Sequence, residues 1–210
     1  MIYESVGLDQ PLKQGDIFRD VPRVDLSLTE LAVLEDDACR QTTWTEVIAD
    51  TSKRDGLAAV LPIKPVMGVV MTQNCDAVRG EFVSLCQVEL FSKVVSTPPA
   101  TPKKWKDLIV QHSREHLRYF YLPEAPAFGI ADRMAADLRV LLRLRRADLE
   151  AMRRNRIGRL NQVGTEHFRE NLAQYFRRYP YDEWYPLTRE EFEEYQKKSP
   201  EPVEPFPWQR

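Results

Sequence analysis

The sequence predicts an α+β protein, and two observations carry that expectation. Short runs that alternate apolar with polar residues, or stay apolar and β-branched, are cut by Pro and Gly as in antiparallel sheets. Apolar residues at helical spacing are clearest toward the C-terminal part, in Thr165–Arg178, which adds helix to those strands. At 210 residues, the chain can bury one substantial core and a satellite.

The elements follow in order. Gln14-Gly15-Asp16-Ile17-Phe18 reads as a turn entering a first strand, and Val24-Asp25-Leu26-Ser27-Leu28 alternates with period two. Residues 35–59 are polar and irregular, with a short helix near Trp44–Ile48, and read as an insertion or lid. Val66–Thr72 and Phe82–Phe91 are the clearest strands, joined by a turn around Arg79-Gly80. Pro98, Pro99 and Pro102 take the chain out of the sheet. Trp105–Glu115 then reads as a short helix and Leu117–Leu122 as another strand.

In Ala136–Arg145, Leu138, Val140, Leu142 and Leu144 alternate with Arg139, Leu141, Arg143 and Arg145. This favours a strand with a basic face, although Leu and Arg also suit a helix. Arg146–Met152 reads as helical, and Thr165–Arg178 carries Phe168, Leu172, Tyr175 and Phe176 at helical spacing. Thr188-x-x-Glu191 is a capping box that opens a last helix over about 189–197. Pro200, Pro202, Pro205 and Pro207 predict an extended or disordered tail. The expected divisions are a sheet domain over 1–145 with an insertion at about 27–61, a helical extension over 146–198 packed on it, and a Pro-rich tail at 199–210.

The net charge of −2 hides segregation. Residues 1–60 carry 12 acidic and 6 basic side chains, whereas 133–178 carry 12 arginines, no lysine and 5 acids. Residues 179–210 return to 8 acids against 4 bases. An arginine-only segment can bind phosphates bidentately or dock on the acidic ends of its own chain. No run has the roughly 18 apolar residues of a membrane span, and no basic-then-apolar leader opens the chain. Cys39, Cys75 and Cys86 are odd in number and lack CxxC spacing, which suits reduced thiols and a cytoplasmic location.

The residues with most chemical content end the strand at Thr72-Gln73-Asn74-Cys75-Asp76. A rigid element delivers small polar and ionisable side chains to a surface there. Cys75 could act as a nucleophile with His112 or His116 as base. The plainer reading makes Cys75 a small buried hydrophobe and Asp76 the cap of the following turn. His112 and His116, spaced i, i+4, could join Cys75 and Cys86 around zinc, but that cysteine spacing fits no known knuckle. The expectation adopted includes no metal and no cofactor. Arg139, Arg143, Arg145, Arg153, Arg156 and Arg159 form a stripe able to neutralise phosphates of RNA or DNA.

Three segments, in order, resemble the MazF/PemK family of bacterial toxin ribonucleases. They are Gly15-Asp16-Ile17-Phe18; Lys64-Pro65 with the apolar strand ending in Thr72; and Asp137-Leu138-Arg139-x-Leu141-x-Arg143 followed by Arg156-Ile157-Gly158-Arg159-Leu160 and a helix containing Glu166. The resemblance covers about half of the chain and implies a small, strongly bent antiparallel β-barrel, SH3-like, with a long insertion and a helical C-terminal extension. The sequence departs from the family where it matters for cleavage. Lys64 stands in place of the essential Arg before Pro, and the second catalytic position falls near Val88-Glu89, where there is no Thr. The expected function is therefore a toxin–antitoxin or phage-defence protein that binds nucleic acid or a protein partner encoded nearby, with a homodimer allowed and no membrane. The alternative is an endoribonuclease with a site rebuilt from Lys64, Thr72, Cys75, Asp76 and His116. If Leu117–Leu122 neighboured Val66–Thr72 antiparallel, His116 would stand beside Cys75 or Asp76.

Overall fold

The computed structural model describes residues 1–35, 38–49, 57–94, 101, 103, 104, 106, 117–177, 189–198 and 201. The chain divides into two compact units, Met1–Tyr175 and Phe176–Arg210. The first is α+β and dominated by antiparallel sheet. Its main sheet has seven strands in the order β1-β10-β2-β6-β7-β9-β8. These are β1 (Tyr3–Glu4), β2 (Asp16–Val24), β6 (Ile63–Val70), β7 (Phe82–Leu90), β8 (Tyr119–Leu122), β9 (Met134–Arg145) and β10 (Arg156–Leu160).

Hydrogen bonding does not close this sheet into a barrel among the described residues, since β1 and β8 stand at its two ends. The sheet is nonetheless bent hard. The Tyr3 hydroxyl on β1 donates to the carbonyl of Pro123, just past β8, at 2.7 Å. Breaks in register bend and twist strands, and they occur between Phe18 and Val21 in β2, between Asp137 and Leu141 in β9, and between Arg156 and Gly158 in β10. Inside the bend lies a core of Ile17, Val69, Cys86, Val88, Leu138 and Leu160, completed by Phe168, Leu172 and Tyr175. Those last three share one stripe of helix α4 (Gln162–Phe176), the helical spacing expected from sequence. The opposite face buries Phe18, Val21, Val70, Leu85 and Leu142 under Leu12, Ala77 of α2 (Asn74–Arg79) and Leu149 of α3 (Arg146–Ala151).

Several expected elements differ. Strand pairing of β2 stops at Val24, because Asp25 turns back to Arg23 at 2.6 Å, and Leu26 and Leu28 leave the sheet. The insertion is a module of its own, a three-stranded sheet ordered β4-β3-β5, from β3 (Leu31–Glu35), β4 (Ala38–Thr42) and β5 (Ala58–Val60), with α1 (Trp44–Ala49). A helix, α2, occupies the place of the turn expected at Arg79-Gly80. Residues 146–198 are not wholly helical: Arg156–Leu160 is a strand inside the main sheet, because Asp16 neutralises its arginines there. The helix expected over 105–115 lies mostly outside the described residues, and the Pro-rich tail almost entirely so. In the second unit, α5 (Arg189–Lys198) carries an i, i+4 pair, Glu194–Lys198, at 2.7 Å.

Candidate functional site

The polar strand end after β6 is largely structural. Thr72 Oγ1 accepts the Ser84 backbone N–H at 2.7 Å, and Asn74 Oδ1 accepts that of Gln14 at 2.9 Å. Gln14 is itself buried, donating to the Met71 carbonyl at 2.8 Å and accepting from Arg169 Nε at 2.7 Å. Cys75 is exposed in the first turn of α2, not buried as a small hydrophobe would be, and its Sγ donates to Asp76 Oδ1 at 3.6 Å. The helix brings together two side chains that a continuing strand would have pointed apart. A carboxylate, however, sets negative charge where a thiolate nucleophile needs a cation.

Lys64 stands at the other end of β6, opposite Arg23, with Nζ 3.9 Å from Asp25. At about 3.3 Å per residue, Lys64 and the Thr72 end are separated by roughly 20 Å or more of strand. The rebuilt set of Lys64, Thr72, Cys75 and Asp76 is thus not one cluster. His112 and His116 lie outside the described residues. The neighbour relation invoked for His116 does not hold, since β7 and β9 lie between β6 and β8. Cys86 is buried in mid-β7, and no group of three or more His, Cys, Asp or Glu placed to hold a metal occurs among the described residues.

The arginine stripe divides. Arg156 and Arg159 are buried on β10 against a fully buried Asp16, where that carboxylate and the chain's own carbonyls take most of their donors and Arg156 Nε has no partner. Arg156 donates to the carbonyls of Gly7, Gln10 and Pro11, and Arg159 to that of Pro11. These two are the part of the basic segment that docks on the acidic N-terminal region, and they do not present a surface to phosphate. Arg153 reaches the Leu8 carbonyl at 3.3 Å and Glu150 at 3.7 Å. Arg143 lies over the Phe82 ring at 4.2 Å, and Arg145 pairs with Asp148 at 3.1 Å. Arg139 does not share their arrangement: three extra residues between Asp137 and Leu141 let its guanidinium return to Asp137 at 3.6 Å.

That contact belongs to a polar band across the other end of the sheet, which sequence reading missed. Asp137 is 2% exposed, and Arg118 grips it bidentately, Nε to Oδ1 at 3.1 Å and Nη2 to Oδ2 at 2.7 Å. The Arg139 backbone N–H adds a third bond at 3.0 Å. The Arg118 guanidinium also lies 4.4 Å from the centre of the Tyr119 ring. Burial raises the Tyr119 pKa, helped by the charges of Asp137 and Glu89 and opposed by Arg118, so its hydroxyl remains a donor at neutral pH. Gln87 is directly opposite Asp137 in register, and Arg23 Nη1 donates to its side-chain oxygen at 2.5 Å. Arg23 binds Asp25, which in turn faces Lys64.

The band holds a saturated carboxylate and several partly exposed cations. Both Asp137 oxygens are engaged, so it orients Arg118 and Arg139 rather than acting as a base. Arg118, Arg139, Arg23 and Lys64 have side-chain exposures of 30, 50, 28 and 68%, which suits recognition of an extended anion. One signal was legible: Asp137 is a lone acid in a strand where a carboxylate is buried only when paired.

Comparison with models of known families, with curated proteins and with solved structures finds no match to this chain. No helix among the described residues is long and apolar enough to cross a membrane.

Proposed function

We propose that this is a nucleic-acid-binding protein of toxin–antitoxin or phage-defence type, built on a strongly bent MazF/PemK-like sheet, that binds rather than cuts. The observation that carries this reading is the polar band, where Arg118 and Arg139 stay partly exposed on the buried Asp137, and Arg23 and Lys64 on Asp25. Arg118 and Arg139, held in place by a buried carboxylate, lose little freedom on meeting a phosphate backbone. Binding is favoured over cleavage because Lys64 and the Thr72–Asp76 turn lie at opposite ends of β6. Cutting would need a fixed cation and a proton-transfer group at one phosphate. The bend that joins Tyr3 to Pro123 supports the barrel-like reading.

Filter-binding titrations of RNA and of DNA against salt test this. Affinity should fall steeply as salt rises, and binding at background level in low salt overturns the proposal. Incubation with a long RNA tests the second half. Cleavage that both Lys64→Ala and Cys75→Ala abolish would establish the ribonuclease instead.

A further inference from the structure

Asp25 sits between two cations of the polar band. Its Oδ1 accepts from Arg23 Nε at 2.7 Å and lies 2.6 Å from Arg23 Nη2, while Lys64 Nζ lies 3.9 Å from Oδ2. Arg23 and Lys64 are register partners on β2 and β6, so their side chains converge on one small anion. The carboxylate fills this place imperfectly. Both Arg23 nitrogens meet the same oxygen, so the fork of two parallel bonds that Arg makes with a carboxylate or a phosphate is not formed. Arg118 does form that fork on Asp137, with Nε on Oδ1 and Nη2 on Oδ2.

The two carboxylates also differ in how firmly they are held. Asp137 is buried and accepts a backbone N–H besides Arg118, so it stays in place. The Asp25 side chain is 46% exposed, stands one residue past the end of β2, and is tied among the described residues to Arg23 and Lys64 alone. Ion pairs this exposed hold weakly. Arg23 does not depend on Asp25 for its position, because its Nη1 donates to Gln87 Oε1 at 2.5 Å. A phosphate diester carries the same single charge and two free oxygens, so taking the place of Asp25 keeps the charge balance and completes the fork. We infer that Asp25 is a built-in competitor, whose carboxylate occupies a phosphate site made by Arg23 and Lys64 and is displaced by the phosphate of a bound strand. The inference rests on the nucleic-acid reading above for the source of that phosphate.

Filter binding of RNA and DNA at low salt by Asp25→Asn tests this beside Asp148→Asn, which removes a similarly exposed acid paired with Arg145 away from the band. Asp25→Asn should bind about fivefold tighter, the upper end for an exposed pair that no longer competes. Asp148→Asn should change affinity by less than about twofold. Urea midpoints verify that both variants fold, and Asp25→Ser repeats the test if Asn does not. Unchanged or weaker binding by the Asp25 variant would make Asp25 a support for Arg23, and an equal gain in Asp148→Asn would make the effect one of bulk charge. Either result overturns the inference while leaving the nucleic-acid reading standing. Inorganic tripolyphosphate, titrated calorimetrically against the same proteins, separates the two the other way. Tighter tripolyphosphate binding by Asp25→Asn, in proteins that bind neither RNA nor DNA, would uphold the phosphate site and remove the nucleic-acid reading. No binding of any of these probes by any of the proteins overturns both.

Discussion

Arg159 Nε donates to Asp16 Oδ1 at 2.5 Å, while Arg156 Nη1 donates to the other oxygen at 3.1 Å, and the Asp16 and Arg156 side chains have no exposure at all. The Lys13 backbone N–H adds a bond to Oδ2 at 2.9 Å. Two cations face one carboxylate, so carbonyl dipoles of Gly7, Gln10 and Pro11 must take the remaining positive charge. The cluster therefore ties the loop before β2 to strand β10.

Removing the carboxylate would leave both guanidinium groups buried without an anion. Asp16→Ala should lose about 3–5 kcal/mol, as breaking buried ion pairs does. Arg139→Ala, half exposed, should stay within about 1 kcal/mol of wild type. Urea unfolding measures both, and similar midpoints for the two variants would refute the assignment of Asp16 as the buried anchor.

The cations of the polar band should appear in the salt dependence of nucleic-acid binding rather than in stability. Lys64→Ala and Arg139→Ala should each weaken binding and each reduce the slope of log affinity against log salt by about 1. Asp137→Asn should weaken binding as well, because Arg118 loses its fork partner and its fixed position. Unchanged slopes in all three would place any binding elsewhere.

The α+β class was legible because alternation and Pro/Gly punctuation are local. Strands β7 and β9 and helix α4 were readable for that reason. The insertion was misread because β3, β4 and β5 are short, and their pairing depends on contacts that no local pattern reveals. One local signal there was overlooked. Thr43-Trp44-Thr45-Glu46 is a capping box, with the Glu46 N–H donating to Thr43 Oγ1 and the Thr43 N–H to Glu46 Oε2 at 3.1 Å. The arginines were harder. A strand residue next to a buried acid from 140 positions away looks, in sequence, like any other surface cation. The polar band depends equally on partners in different strands, such as Arg118 with Asp137 and Arg23 with Gln87.

The three thiols should separate cleanly. Cys39 and Cys75 are exposed, and Cys86 is buried in the core with its thiol donating to the Val69 carbonyl at 3.6 Å. Burial pushes the Cys86 pKa up to about 12. A disulfide-exchange reagent at pH 8 should titrate two thiols in the native protein and three in urea, and three fast thiols in the native state would contradict the burial of Cys86. A raised pKa favours the folded state fully below the unfolded thiol's value. That contribution disappears as pH rises toward 12, so the Cys86 part of stability should decline only on the alkaline side.

Gly15 is the position where backbone conformation and space coincide. Its φ is +88°, and it links strands on both sides of β2: its N–H donates to the Val70 carbonyl at 2.8 Å and its carbonyl accepts from Leu160 N–H at 2.9 Å. A Cβ there would sit 3.1 Å from Leu160 Cβ and 3.2 Å from Thr165 Oγ1. Gly129 also has positive φ, +71°, but a Cβ there would meet nothing within 4 Å. Gly129→Ala should thus report the backbone penalty alone, about 1–2 kcal/mol. Gly15→Ala should cost more, because Leu160 must move and strand β10 with it. Urea midpoints of the two variants decide the matter. Equal losses would show that β10 yields freely at Leu160, and that the link between the Gly15 turn and β10 is looser than its hydrogen bonds imply.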